Sequence, residues 1–217
     1  MPKILAVFAL LTLLGTVALG KESAGDNLLE NGSFEASVAG RVPKDAGQGL
    51  WKLAGSGRMA TGWSLNAGYP GVFSLVEGDA ADGNAHVRIE AGAKRDAQVF
   101  RPCPAMQAGV WYRISARVRG GTATLLTYEY GPKPAPQAFT LASITAPKGE
   151  WRTMTGFYAP PHKRFRHAAV TLLVPKGGTA EFDDVRVHAL QGPVAEAGVR
   201  PVKLRNEQAE LLLSGAG

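Results

Sequence analysis

The chain has 217 residues, a formal net charge of +6 at pH 7 and a sequence pI of about 9.6. Its single cysteine, Cys103, excludes an internal disulfide, and no segment after the first 20 residues is apolar enough to cross a bilayer. For an exported protein, the basic charge favours acidic polysaccharide, cell envelope or lipid head groups as partners over nucleic acid. The alternative is that a mild basic excess only aids solubility.

Residues 1–20 have the pattern of a signal peptide. Lys3 is their only charge, an apolar run extends from Ile4 to Leu14, and Ala18-Leu19-Gly20 suits a small-residue cleavage site. This run is too short to favour the alternative, an uncleaved membrane anchor. We therefore expect an exported protein, secreted or held in the periplasm or cell envelope, whose mature part is long enough for one domain.

From residue 25 to about residue 190 the chain carries almost no helix signal and reads as a series of short strands. Apolar and polar side chains alternate along Tyr112–Arg119, which predicts one buried and one hydrated face. His86–Glu90 repeats the alternation, whereas Ala168–Val174 is continuously apolar and predicts a central strand. Two further strands are predicted over Thr122–Tyr130 and Trp151–Tyr158.

Turn signals separate these strands, among them Asp82-Gly83, Gly120-Gly121, Gly131-Pro132, Pro147-Lys148-Gly149 and Lys176-Gly177-Gly178. Many short strands divided by such turns predict an all-β domain, an antiparallel β-sandwich, over residues 21–190. Residues 191–217 have a different character and are expected to form an irregular tail, in which Asn206–Leu213 fits one short helix. The tail is expected either to be disordered or to dock on the sandwich through Leu211, Leu212 and Leu213.

Four aromatic residues are candidate carbohydrate ligands, because flat rings bury the apolar C–H faces of pyranose sugars while polar neighbours bond to the hydroxyls. Trp51 lies in a long glycine-rich loop outside any core pattern, and Tyr69 lies in a second exposed turn. Tyr128 and Tyr130 share one strand face and would line a concave sheet if that face points outward. The alternative for each residue is ordinary packing in the core or in a loop.

Glu35 and Asp183 stand at the two ends of the globular part, each in a short β-type run beside an apolar anchor. Such ends can meet on adjacent strands, and converging carboxylates suit calcium, which takes about six to eight oxygen ligands and therefore needs more than these two. The side-chain alternation changes phase at Asp183-Asp184, which predicts a bulge that would aim a ligand. The alternative is a pair of edge carboxylates that are solvated or paired with an arginine.

A series of short motifs runs in order from Asn27 to about His188: Asn27-Leu28-Leu29-Glu30-Asn31-Gly32-Ser33-Phe34-Glu35, Gly62-Trp63, Gly83-Asn84-Ala85-His86-Val87-Arg88-Ile89, Gly109-Val110-Trp111-Tyr112-Arg113-Ile114-Ser115, Trp151 to Tyr158, and Asp183-Asp184-Val185. This order resembles the carbohydrate-binding modules attached to bacterial cellulases and xylanases, of families four, nine and twenty-two. The resemblance implies their galactose-binding-like fold, a jelly-roll β-sandwich. One departure is Ser37–Thr61, which is longer and richer in glycine than the corresponding segment of those modules.

The resemblance also implies a function. Such modules are non-catalytic and stack poly- or oligosaccharide on aromatic side chains, usually in association with a glycoside hydrolase. They commonly hold a structural calcium ion, here through Glu35 and Asp183 with help from backbone carbonyls near Asp82-Gly83. The family fills its sandwich core at the positions of Trp63, Trp111 and Trp151.

Catalysis has little support in the residues. Glycoside hydrolysis needs two placed carboxylates, the four histidines show no metal spacing, and no nucleophile elbow or phosphate loop is present. Two alternatives remain: an interaction or structural domain on the same fold that has lost glycan binding, and, ranked last, an enzyme of glycan metabolism. The first would use the basic face of Arg113, Arg117 and Arg119 or the loop Lys163–Arg166.

Overall fold

The computed structural model describes residues 27–43, 51–131, 135–160 and 165–190. These residues form an all-β sandwich of a five-stranded and a six-stranded sheet, with a further two-stranded sheet at one edge. No helix occurs in these four ranges, and so none there is long and apolar enough to cross a membrane. The predicted signal peptide, half of the predicted basic loop and the predicted C-terminal helix lie outside them.

Thirteen strands make up the sheets. Their bounds are β1 Ser37–Ala39, β2 Lys52–Ala54, β3 Arg58–Ala60, β4 Ser64–Leu65, β5 Gly71–Glu77, β6 Ala85–Ala91, β7 Ala97–Cys103, β8 Tyr112–Arg119, β9 Gly121–Tyr130, β10 Gln137–Ala146, β11 Arg152–Tyr158, β12 His167–Val174 and β13 Thr179–Ala189. The five strands that the sequence predicts are all present, with ends that differ by at most one residue.

The strand orders are β10-β9-β12-β7-β4 in the five-stranded sheet and β11-β8-β13-β6-β5-β2 in the six-stranded sheet. Neighbouring strands are antiparallel except β2, which pairs in parallel with β5. The predicted jelly-roll β-sandwich is therefore confirmed. The glycine-rich segment 37–61, which departs from the family pattern, supplies the three short strands β1, β2 and β3 at the edge.

The core forms because alternate residues of both sheets point toward each other. On β8, Tyr112, Ile114 and Val118 are at most 2% exposed, and β12 is buried along nearly its whole length, as its continuous apolar run predicts. Full burial of a large apolar side chain contributes about 1.5–3 kcal/mol. Cys103 belongs to this core, where burial raises the pKa of its thiol to about 11 and so disfavours the reactive thiolate.

The predicted bulge lies in β13. Asp183 pairs with Arg117 and Arg186 with Ser115, so two residues of β13 face one residue of β8. Asp184 is the extra residue and has a positive φ of 47°. As a result, Phe182, Val185 and Val187 all point into the core with no exposed surface.

The two ends of the domain meet beside this bulge. Leu28 donates to the carbonyl of Val187, and Val185 donates to the carbonyl of Gly32. Gly32 is needed because a Cβ there would collide with the Val185 carbonyl. The N-terminal run thus lies next to β13 as predicted, but it forms turns rather than the expected strand.

Candidate functional site

The outward surface of the five-stranded sheet carries two of the predicted carbohydrate ligands. On β9, Ala123, Leu125 and Thr127 are fully buried between the sheets, which turns Tyr128 and Tyr130 to the outside. All strands of this sheet lie within the described residues, and their outward positions hold no Asp, Glu, Lys or Arg. We call this surface, together with the turn that carries Tyr69, the tyrosine face.

Tyr128 lies across the sheet rather than standing on it. Its hydroxyl donates to Oε1 of Gln98 at 3.1 Å. Tyr128 pairs with Ala169, whereas Gln98 pairs with Leu173, four positions further along β12. The fully buried Thr171 lies midway along this diagonal, so the ring crosses above it. Tyr128 is partly exposed in this position.

The turn Asn66–Pro70 brings Tyr69 to the same place. Asn66 donates its backbone N–H to the carbonyl of Gln98 at 3.0 Å, and Gln98 donates its own N–H to the carbonyl of Tyr69 at 3.1 Å. Asn66 Nδ2 also donates to Gln98 Oε1 at 3.0 Å. Tyr69 is 37% exposed, and its hydroxyl interacts with that of Tyr128. Burial raises the pKa of the Tyr128 phenol; the hydrogen bond to Gln98 opposes this rise, and the neighbours Tyr69 and Tyr130 add to it.

Tyr130 pairs across the sheet with His167. Their rings are parallel within 10° and their centroids are 4.5 Å apart, which is close stacking. One side of the Tyr130 ring is therefore covered by the imidazole, and the pair closes one end of the tyrosine face. Arg166, the last residue of the predicted basic loop, is exposed and donates its backbone N–H to the carbonyl of Tyr130.

The location predicted for Trp51 is wrong. Its side chain is only 4% exposed and belongs to the core, whereas the sequence suggested an exposed loop. The physical reason is the parallel pairing of β2 with β5, which holds Trp51 at the sheet edge and turns its ring inward. Its indole Nε1 donates to the carbonyl of Asn66 at 2.8 Å. A ring buried to this extent has no free face for a sugar.

The two predicted metal ligands bind opposite ends of one loop, residues 79–85. Oε1 of Glu35 accepts the backbone N–H groups of Asn84 and Ala85 at 2.7 and 2.8 Å. Oδ2 of Asp183 accepts those of Ala81 and Asp82 at 2.6 and 2.8 Å. The carboxylates therefore converge on the loop that the sequence indicated, but they meet its amides rather than its carbonyls.

Asp183 is fully buried. Burial raises the pKa of its carboxyl to about 6, although three backbone N–H groups, including that of Asp184, oppose this rise. Within the described ranges, no three His, Cys, Asp or Glu side chains form a metal-binding group. A calcium ion here would have to take most of its oxygens from the loop backbone or from water, so calcium binding stays a prediction.

The outward surface of the six-stranded sheet is built from charges, and we call it the charged face. Arg119 donates to Glu181 Oε2 at 2.6 Å and to Asp79 Oδ2 at 2.5 Å, and its guanidinium lies 4.4 Å from the ring centre of Trp151. The edge of the His86 ring also packs on this indole at 5.5 Å. Arg119 was predicted to be hydrated, but it is only 7% exposed.

Of the three tryptophans predicted to fill the core, only Trp63 does so, at 4% exposure. The prediction for Trp151 is wrong, because Met154, Gly156 and Tyr158 of β11 point inward and Trp151 therefore lies on the outward side. Trp111 is half-buried.

A cavity of about 700 Å³ lies at the edge formed by β1, β3 and β4, lined in part by Val38, Val42, Met59 and Trp63. None of the four predicted carbohydrate ligands lines it. The tyrosine face is therefore an open surface and not this cavity.

Sequence reasoning missed Gln98, Asn66 and His167 as members of the tyrosine face. A weak signal was available for Gln98, because it is the one polar residue on the outward phase of β7, beside Phe100 and Pro102. No signal in the sequence connects Asn66 with Gln98, since 32 positions separate them.

No protein-family model matches the chain, and no curated protein matches it by sequence. Solved structures do match. The xylan-binding CBM22-2 domain of Paenibacillus barcinonensis Xyn10C is 14% identical with a TM-score of 0.52, and the match covers 59% of this chain and 92% of that domain.

A family 22 carbohydrate-binding module of Clostridium thermocellum Xyn10B is also 14% identical, with a TM-score of 0.50 and coverage of 64% of this chain and 91% of that one. The CBM22-1–GH10 modules of the same xylanase, complexed with xylohexaose, are 17% identical at a TM-score of 0.50, over 64% of this chain and 28% of theirs. The protein therefore has the jelly-roll fold of the family 22 carbohydrate-binding modules.

Proposed function

We propose that this protein is an exported, non-catalytic carbohydrate-binding module that holds a neutral polysaccharide such as xylan on its tyrosine face. One observation carries the proposal: Tyr69, Tyr128 and Tyr130 lie on one surface together with the amide side chain of Gln98. The fold supports it, because solved domains of this fold are described as xylan-binding.

The chemistry of the face suits a sugar chain. Tyr69, which is 37% exposed, and the partly exposed Tyr128 offer aromatic rings for the apolar side of a pyranose, and phenol hydroxyls can donate and accept hydrogen bonds. The amide of Gln98 is only 2% exposed and orders these side chains from beneath. Gln98 Oε1 already accepts two hydrogen bonds, from Asn66 and from Tyr128, so these side chains are ordered before a ligand arrives. Such preorganisation reduces the entropic cost of binding.

Charge favours a neutral over an acidic ligand. Although the whole chain carries +6, the outward strand positions of the tyrosine face, all within the described residues, include no Lys or Arg to pair with a uronic acid. The same positions include no Asp or Glu that could serve as the acid and base of glycoside hydrolysis, which supports the non-catalytic part of the proposal.

A structural calcium ion remains part of the proposal. Loop 79–85 lies between Glu35 and Asp183, so an ion held there would join the N-terminal segment to β13. Such an ion would stabilise the fold at the six-stranded sheet and would not contact a sugar bound on the tyrosine face.

The test is calorimetric titration of the purified protein with xylohexaose and with polygalacturonate. We expect binding to xylohexaose only, and Tyr128→Ala should weaken it by roughly 1–3 kcal/mol, the scale for loss of a large aromatic contact. Phe157→Ala is the matched control, because Phe157 is a partly exposed aromatic residue on the outward phase of the other sheet. A wild-type protein that binds no glycan, or a Tyr128→Ala variant with unchanged affinity, would contradict the proposal.

A further inference from the structure

We propose that Trp51 is a positioning residue for glycan binding: from inside the core, it holds the turn that presents Tyr69 to the ligand. This inference rests on the proposed function. It assigns to Trp51 a role through another residue, in place of the direct sugar contact that the sequence suggested.

The indole of Trp51 is hydrogen-bonded to the turn that carries Tyr69. Nε1 of Trp51 donates to the carbonyl oxygen of Asn66 at 2.8 Å, and the same oxygen accepts the backbone N–H of Tyr69 at 3.0 Å. One carbonyl thus joins the buried ring to the residue that faces the ligand. Because Trp51 is 4% exposed, its N–H would be left buried without a partner if the turn moved away, which is unfavourable.

The strand connections place Trp51 beside this turn. The turn Asn66–Pro70 leads from β4 of the five-stranded sheet to β5 of the six-stranded sheet, so it bridges the two layers of the sandwich. Lys52 of β2 pairs in parallel with Val72 of β5, which places Trp51 beside the beginning of β5. The indole therefore lies against the turn from the core side.

The same hydrogen-bond network also includes Tyr128. Asn66 Nδ2 and the hydroxyl of Tyr128 both donate to Oε1 of Gln98. A shift of Asn66 would therefore disturb Tyr128 as well as Tyr69. Through one carbonyl, Trp51 supports the geometry of both tyrosines.

Trp63 provides a matched control. It is also 4% exposed, and its indole Nε1 also donates to a backbone carbonyl, that of Asn31, at 3.0 Å. Asn31 belongs to the N-terminal turn and not to the tyrosine face. Trp51→Phe and Trp63→Phe each keep an aromatic ring and remove one buried N–H group, so they should lower stability to a similar extent.

The experiment measures xylohexaose affinity and hydrogen exchange of the Tyr69 backbone amide in both variants. We expect Trp51→Phe to speed exchange at Tyr69 and to weaken xylohexaose binding about 3–10-fold, because the binding-competent turn is less populated. Trp63→Phe should change neither. In a Tyr69→Ala background, Trp51→Phe should cause a smaller further loss, because the residue it positions has been removed.

Two outcomes would overturn the inference: unchanged exchange at Tyr69 in Trp51→Phe, or equal affinity losses in the two tryptophan variants. If the wild-type protein binds no xylohexaose, the proposed function fails. The exchange rates at Tyr69 then still decide whether Trp51 holds the turn.

Discussion

Both outer surfaces of the sandwich are formed by alternate residues of their strands, but the two surfaces differ in chemistry and in role. On the charged face, Arg119 is bound by Glu181 and Asp79 and covered by Trp151, so its charge is satisfied within the protein. On the tyrosine face, Tyr69 is 37% exposed, and the partly exposed Tyr128 is held beside it by its hydrogen bond to Gln98. A surface whose charges are paired internally stabilises the fold, whereas an ordered surface without fixed charge is suited to binding a neutral polymer.

The largest effect should come from breaking the charged face. Arg119→Met keeps the apolar stem but removes the guanidinium that binds Glu181, whose side chain is 21% exposed, and leaves Glu181 only the His86 ring at 3.8 Å. We expect the free energy of unfolding to fall by about 3 kcal/mol, with xylohexaose affinity unchanged. Arg88→Met is the control, because the pair of Arg88 with Glu90 is well exposed and should contribute less than about 1 kcal/mol. Equal losses in denaturant unfolding of the two variants would contradict this reading.

Calcium should act on the same side of the molecule. At a concentration of about 100 times its dissociation constant, it should raise the free energy of unfolding by about 2.7 kcal/mol. Glu35→Gln and Asp183→Asn should remove that gain, while Glu30→Gln, which affects a carboxylate bound to Arg101, should retain it. A melting temperature that responds to neither calcium nor chelator would end the calcium proposal.

A smaller effect is expected from the tyrosine face itself. Gln98→Leu removes the oxygen that orders Tyr128 and Asn66, so xylohexaose affinity should fall by about 1 kcal/mol, the net value of a typical hydrogen bond. Thr124→Val is the control, since it removes an outward hydrogen bond to Ser143 on the same sheet. Titration of both variants would show whether the loss is specific to Gln98.

The smallest effect concerns pH and again separates the two faces. Burial lowers the pKa of His86, with Arg119 adding to the effect and Glu181 and Asp79 opposing it. The unfolded chain then binds the proton more readily, so this contribution to stability is present above about pH 6.5 and is lost as the pH falls. Asp183 acts in the opposite sense, because its raised pKa of about 6 favours the folded state on acidification.

The contribution of His86 is isolated by comparing the wild type with His86→Phe, in unfolding measurements at about pH 7.5 and about pH 5. The wild type should lose more stability than the variant over this range. Xylohexaose binding should change equally in both. An identical pH profile of stability for the two proteins would show that His86 does not titrate in this way.

The sequence predicts the fold of this protein well and its candidate site in part. Alternation along β8 and the phase change in β13 depend only on neighbouring residues, so a single chain shows them. Tyr128 and Tyr130 were predicted to share a face, but nothing in one strand shows which face is outward. That depends on the opposing sheet.

The two misplaced tryptophans have different physical causes. Trp51 follows a glycine-rich segment, and its burial depends on a parallel pairing between β2 and β5 that no local pattern shows. Trp151 was assigned from the family pattern although its phase along β11 points outward. The hydrogen bonds of Glu35 and Asp183 to loop 79–85 were equally hidden, because an acidic residue near a loop does not reveal whether it will meet amides or a cation.

The bulge in β13 consists of one extra residue, Asp184, and the core residues of this strand do not depend on it for their inward direction. If Asp184 were deleted, Val185 would follow Asp183 directly and face Ala116, and the strand would alternate regularly with Phe182, Val185 and Val187 still pointing inward. The deletion would remove the backbone N–H that Asp184 donates to Asp183 Oδ1 and the ion pair of Asp184 with Arg186, and with them the support for the aim of Asp183 toward loop 79–85. One inserted residue thus allows Asp183 to bind a loop that is distant in the sequence, while the side chains on the other side of the strand keep their packing in the core.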